Sequence, residues 1–133
     1  MKYERNFVKP RVSEEIKHHD SAAMNKTGLS YVLIDDLSYP NAGLRLTTRR
    51  IANVPKEVPD YVEMHSHDVD QLFILLSDTD DSGALEAEFK LEDEVYRVKS
   101  PVTVFIPKGV PHSQKVLSGS GRLITFLRKG VYP

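Results

Sequence analysis

The sequence predicts an all-β domain, a sandwich or barrel of short strands, on three observations. From residue 31 onward, short runs rich in Val, Ile, Leu, Phe, Tyr and Thr follow one another. Turn residues separate these runs at close intervals, without the helical spacers of a βαβ pattern. A chain of 133 residues, 40% apolar and 28% charged, is enough for one packed core and short for two domains. We therefore read residues 1–133 as a single domain, with 1–30 as an N-terminal extension and 31–133 as the β-structure.

Taken in order, residues 1–10 mix charged and apolar types and hold no apolar stretch of signal-peptide length. No later run approaches a membrane span, so a cytoplasmic protein is expected. Over residues 12–24, Ser13 followed by Glu14 and Glu15 predicts a short helix with acidic side chains in its first turn, packed on the outside of the body. His18 and His19 stand in a polar run with Lys17 and Asp20 and read as exposed surface histidines. Strands are predicted over 31–34, 44–53, 61–67, 71–76, 85–91, 94–98, 102–106, 112–116 and 122–127. Between them lie turn signals at 40–43, 55–59, 78–83, 92–93, 100–101, 107–111 and 118–121, each rich in Pro, Gly, Asp or Ser.

Composition excludes several functions. The formal charge is -1, with lysines and arginines scattered rather than clustered, so no basic stripe is present to neutralise a phosphate backbone. Cysteine is absent, which removes disulfides, thiolate nucleophiles and Cys-ligated zinc together. Any metal must then be held by imidazole and oxygen ligands, which directs attention to the five histidines. Asn25-Lys26-Thr27 fits a glycosylation acceptor but has no secretion signal before it.

In Glu63-Met64-His65-Ser66-His67 the histidines are two apart. On an extended strand this puts both imidazoles on one face, roughly 6.5 to 7 Å apart at the backbone, from where both can reach one metal ion. Read alone, the pair fits hydrogen-bonded surface histidines as well. Gln71 follows the Asp68-Val69-Asp70 link, opens an apolar run and can return to the same ion, and Asp70 is the alternative oxygen ligand if the strand entry is bulged. Further on, Pro107-Lys108-Gly109-Val110-Pro111 forms a rigid turn that gives His112 a fixed direction.

By strand parity Tyr61 and Glu63 would line the same cavity as the histidines. Glu63 is then either a catalytic general base or the partner of a cavity arginine, Arg45 or Arg49. Phe73, Leu75 and Phe105 read as cavity wall or core. The segment 78–83 imitates the start of an EF-hand loop, but its twelfth place is Phe89 rather than Glu and its flanks read as strands, so an acidic surface turn is expected.

Over about residues 61–116 these motifs resemble those of the cupin superfamily: a His-x-His followed after three residues by Glu, and a Pro-x-Gly followed after two residues by His. The resemblance implies a double-stranded β-helix, or jelly-roll cupin barrel, with a divalent metal ion (Fe, Mn, Ni or Zn) inside its wider end. It makes His65, His67 and His112 imidazole ligands and puts Gln71 where the family usually has a carboxylate. Pro59, Asp78 and Pro101 stand where glycine is frequent, and Val116 where Asn is common. Those departures concern turns and packing. An amide at position 71 leaves the ion with neutral ligands only, which means either weaker metal affinity or a more electrophilic ion suited to an anionic substrate.

The resemblance implies a small-molecule site. An Fe(II)-dependent dioxygenase acting on a chelating carbonyl or enol is the first expectation. The alternatives are a non-redox isomerase or lyase acting on a hydroxy-carbonyl or sugar, and a non-catalytic small-molecule-binding module. Cupins commonly form homodimers through sheet edges, and the run at 31–34 is a candidate edge.

Overall fold

The computed structural model describes residues 1–79 and 83–133. Its elements are β1 (Arg11–Val12), α1 (Ser21–Asn25), β2 (Ser30–Ile34), β3 (Arg45–Ile51), β4 (Gln71–Ser77), β5 (Leu85–Leu91), β6 (Glu94–Lys99), β7 (Val102–Ile106), β8 (His112–Gly119) and β9 (Gly121–Leu127), with one 3-10 turn at Glu4–Asn6. Eight of the nine predicted strands form as ladder strands, because alternation of apolar and polar residues between strong turn signals leaves one face to bury. Among the described residues no helix is long and apolar enough to cross a membrane.

The strands form two antiparallel sheets, one in the order β1-β2-β3-β9-β4-β7 and one in the order β6-β5-β8. They are a double-sheet jelly roll rather than one hydrogen-bonded cylinder. Register fixes what the inner face of the large sheet presents. Arg45, Leu127, Gln71 and Ile106 share one row across β3, β9, β4 and β7. Thr47, Thr125, Phe73 and Val104 share the next inward row, and Arg49, Leu123, Leu75 and Val102 the one after. Against this face β5 and β8 set Leu85, Ala87, Phe89 and Val116, and together with Ile51, Leu75 and Leu123 they make the apolar core. Phe73 and Phe89 meet edge to face, ring centroids 5.2 Å apart. Phe105 points outward and is half exposed, because its position in β7 is out of phase with buried Ile106.

The predicted helix over 12–24 is replaced by an irregular strap. Arg11 and Val12 pair with Val32 and Tyr31, and helix is confined to the five residues of α1, capped by Asp20 and not by Ser13. Glu14, expected in a first helical turn, instead bonds Arg45 Nη1 at 2.9 Å and so pulls the chain across the sheet. The strap does not lie on the outside: Ser13, Ile16, His19 and Met24 form part of the cavity wall. Since β1 covers it, β2 is an interior strand and not the free edge that dimerisation through 31–34 would require. The turn expected at 78–83 falls partly on residues 80–82, which lie outside the described residues.

Candidate metal centre

The segment predicted as a strand over 61–67 is extended but makes only single bridges, Val62 with His19 and His65 with His112. The second bridge brings the two motifs together: His65 N donates to His112 O at 3.1 Å, and His112 N donates to His65 O at 2.8 Å. Gly109, at φ 83 in the Pro107–Pro111 turn, donates its N–H to His67 O at 2.7 Å. The rigid turn therefore holds both the His-x-His backbone and the third histidine. His65, His67 and His112 each offer a ring nitrogen, and these atoms all lie within 4.8 Å of one another.

Main-chain carbonyls set the ring tautomers. His65 Nδ1–H donates to Glu63 O at 2.6 Å, and His112 Nδ1–H donates to Val110 O at 2.9 Å. A carbonyl only accepts, so Nδ1 carries the proton and Nε2 presents its lone pair, the orientation that metal-ligating histidines adopt. Burial lowers the pKa of all three imidazoles, and His67, with His65 and His112 beside it, is pushed down to about 4. They are neutral at pH 7 and ready to coordinate.

Among the described residues, three buried side-chain atoms have no hydrogen-bond partner: His67 Nε2, His112 Nε2 and Gln71 Oε1. Each unsatisfied buried group costs about 1 to 3 kcal/mol, so three belonging to one predicted ligand set mark a site suited to an electrophile. A divalent metal fits this donor set. Asp70, the alternative oxygen ligand, is engaged elsewhere: Oδ1 accepts from Lys108 N at 3.0 Å, and Oδ2 lies 3.5 Å from Arg128 Nη1.

Other sequence expectations are corrected. Glu63 does not line the cavity. Its side chain is 82% exposed, 3.6 Å from His18 Nδ1, and it meets neither Arg45 nor Arg49. The parity argument fails because a segment with isolated bridges does not hold the strict alternation of a ladder strand. Tyr61 is not in the cavity wall either; it is buried behind it, its hydroxyl bonded to Arg49 Nη2, Gln114 Oε1 and Val116 N. His18 is exposed as expected and His19 is partly buried, but both lie beside the triad. His18 stacks on His65, with centroids 5.1 Å apart, and His19 meets the same ring edge-on at 5.4 Å. All five histidines of the chain thus gather in one place.

Tyr132 is the residue that sequence reasoning missed. Its hydroxyl lies 3.3 Å from His65 Nε2, and its ring meets His67 edge-on at 5.3 Å. The tail returns to the site because Asp36 N donates to Gly130 O at 2.9 Å. A Cβ at Gly130 would lie 1.9 Å from Asp36 Cγ, so any other residue there would force the Asp36 carboxylate to move. Burial raises the phenol pKa well above its usual range, which keeps the group as a hydroxyl.

The cavity at this end has a volume of about 60 Å³ and is lined by His65, His112 and Tyr132 together with Gln71, Arg45, Arg49, Thr47 and Thr125 of the large sheet. Arg45 bonds Glu14 and Asp35, and Arg11, with hydrogen bonds from Ser38, holds the Asp35 carboxyl down at about 2.

Fold and site together define a small double-sheet jelly roll that gathers three buried imidazoles at one end. This is the cupin fold. The structure is similar to the conserved SPY1581 protein of unknown function from Streptococcus pyogenes (20% identity, TM-score 0.56, covering 95% of this chain and 96% of that one). It is also similar to an RmlC-like cupin from Shewanella frigidimarina (14% identity, TM-score 0.55, covering 95% and 86%). A third similar structure is the DMSP lyase DddQ from Ruegeria pomeroyi (18% identity, TM-score 0.60, covering 95% of this chain and 58% of that one). No family model matches the chain, and no curated protein matches it in sequence.

Proposed function

We propose that this protein is a metal-dependent enzyme acting on a small molecule, with non-redox lyase or isomerase chemistry, in which His65, His67 and His112 hold a divalent metal and Gln71 is the fourth protein ligand. The observation that carries this reading is the set of buried, unpartnered acceptors His67 Nε2, His112 Nε2 and Gln71 Oε1. A divalent ion held there supplies Lewis acidity toward a carbonyl or carboxylate oxygen. The carbonyls of Glu63 and Val110 fix the two rings that they bond, and burial keeps the imidazoles unprotonated. Phe73 and Leu127 on the cavity wall restrict water. Tyr132 Oη, with its proton retained, is the group placed to donate to, or recover a proton from, a molecule beside the histidines. A lyase among the similar structures accords with proton-transfer chemistry.

A second reading is an Fe(II)-dependent dioxygenase acting on a chelating carbonyl or enol. It is favoured by the neutral ligand set, in which a substrate enolate would supply the charge that Gln71 does not. Zinc-loaded protein assayed under argon against iron-loaded protein in an oxygen electrode separates the two. Turnover with zinc under argon supports the first; oxygen uptake found only with Fe(II) replaces it with the second. Tyr132→Phe should keep metal stoichiometry and lower turnover by about 10²- to 10⁴-fold; full activity in this variant removes Tyr132 from the mechanism. Saturable binding without chemical change would leave a binding module. The reading includes a cytoplasmic homodimer formed at the exposed apolar positions Val95 and Tyr96 of β6, which a monomer mass by light scattering would exclude.

A further inference from the structure

Two arginines are buried in this fold, Arg45 and Arg49, each 3% exposed and both on the inner face of β3. Their electrostatic situations differ. Arg45 is neutralised by Glu14 and Asp35, at 2.9 and 3.1 Å. Arg49 meets no carboxylate among the described residues. Its three hydrogen bonds go to neutral acceptors: Nη1 to Met24 O at 3.0 Å and to Thr27 Oγ1 at 2.9 Å, and Nη2 to Tyr61 Oη at 3.1 Å. A guanidinium has five N–H donors, so Nε–H and one N–H on Nη2 have no protein acceptor. The Tyr61 ring lies beneath the cation, 5.3 Å from Cζ, and holds the guanidinium in place.

An unpaired buried cation is expensive and is retained where a counter-charge arrives from outside the chain. Arg49 lines the same cavity as His65, Gln71, His112 and Tyr132. The predicted ligands are neutral, so among the described residues nothing offers this cavity a negative charge except the carboxylates already used by Arg45. We propose that Arg49 is the anchor for the carboxylate of a small anionic substrate, whose other end carries a carbonyl or hydroxyl oxygen directed to the histidine cluster. The inference rests on the enzyme reading above and narrows its substrate class. One uncompensated guanidinium matches one carboxylate. The enclosed space of about 60 Å³ is far below that of a drug-sized pocket. At about 10 to 15 Å³ per water-sized site it holds about four to six non-hydrogen atoms, the size of a two- to three-carbon oxo- or hydroxy-acid.

The test is calorimetric titration of zinc-loaded and metal-free full-length protein with sodium pyruvate, glycolate and lactate, and with hydroxyacetone as a neutral molecule of pyruvate's shape. At least one carboxylate should bind, and hydroxyacetone at least tenfold more weakly than pyruvate. Arg49→Gln should weaken carboxylate binding at least tenfold without changing metal stoichiometry, and Arg49→Lys should recover part of the loss. The comparison of pyruvate with hydroxyacetone on the unaltered chain needs no variant and stands if Arg49→Gln fails to fold. Equal binding of the neutral molecule, no binding by any carboxylate, undiminished binding in Arg49→Gln, or tighter binding of inorganic phosphate than of any carboxylate overturns the proposal. Failure of the unaltered protein to take up metal sinks the enzyme reading alone, because the carboxylate preference is then read on the metal-free form.

Discussion

The two ends of the interior are built on the same strands, yet they do opposite things. Along β4 the inward positions run Gln71, Phe73, Leu75, and along β8 they run His112, Gln114, Val116. At one end the side chains are apolar and closed in by Leu85, Ala87 and Phe89 of β5. Each buried apolar side chain there contributes about 1.5 to 3 kcal/mol. At the other end His67, His112 and Gln71 keep acceptors buried without partners, which detracts from stability. The difference teaches that the dry end is the platform and the polar end is what it supports. Two or three residues along each strand are enough to change from one to the other.

This division can be broken by experiment, beginning where the effect is greatest. His112→Ala should abolish stoichiometric metal uptake by elemental analysis while leaving the dry end folded by circular dichroism; retained metal would mean that the cluster is not the centre. Phe89→Ala, at the heart of the platform, should lower stability by about 3 to 5 kcal/mol in urea titration and, at low denaturant, leave metal stoichiometry intact.

Acid should act on the polar end first. The folded-state pKa values of His65, His67 and His112 are depressed below 6.5, so the unfolded chain binds more protons below that pH. Stability of the metal-free protein is therefore fully present above about 6.5 and falls as pH drops toward the His67 value of about 4. The slope is about 1.4 kcal/mol per pH unit for each such imidazole. Asp35, held at about 2, adds a separate loss between its ordinary value near 3.8 and that point. A flat melting temperature between pH 6.5 and 4.5 would show the imidazoles to be solvated. The smallest change expected is from Gln71→Glu, which should tighten metal binding on the order of tenfold by restoring a charge-assisted ligand; unchanged affinity would place residue 71 outside the ligand set.

How much of this was legible in the sequence depended on whether the controlling contact was local. The ladder strands were readable because their alternation and turn residues are near-neighbour properties. The histidine triad was readable through the resemblance of its two motifs to those of cupins, since the two-residue spacing alone fits surface histidines as well. Glu63 was misplaced because the parity rule needs a paired strand, and 61–67 has only isolated bridges. His18 and His19 looked like solvated residues in a polar run, yet Glu14 binding to Arg45 draws their segment over the mouth of the sheet. Tyr132 could not be found from its neighbours, since its return depends on Asp36 and Gly130, distant in the chain.

The proton positions on His65 and His112 are dictated by the peptide carbonyls of Glu63 and Val110, not by side chains. Substitution at residues 63 or 110 leaves a carbonyl in place, so mutation has little purchase on how these rings are aimed. The identity of the fourth donor is not protected in this way, since a single codon change converts Gln71 to an acid. A lineage with this architecture can therefore exchange the charge of its centre step by step while the aim of its imidazoles is inherited unchanged.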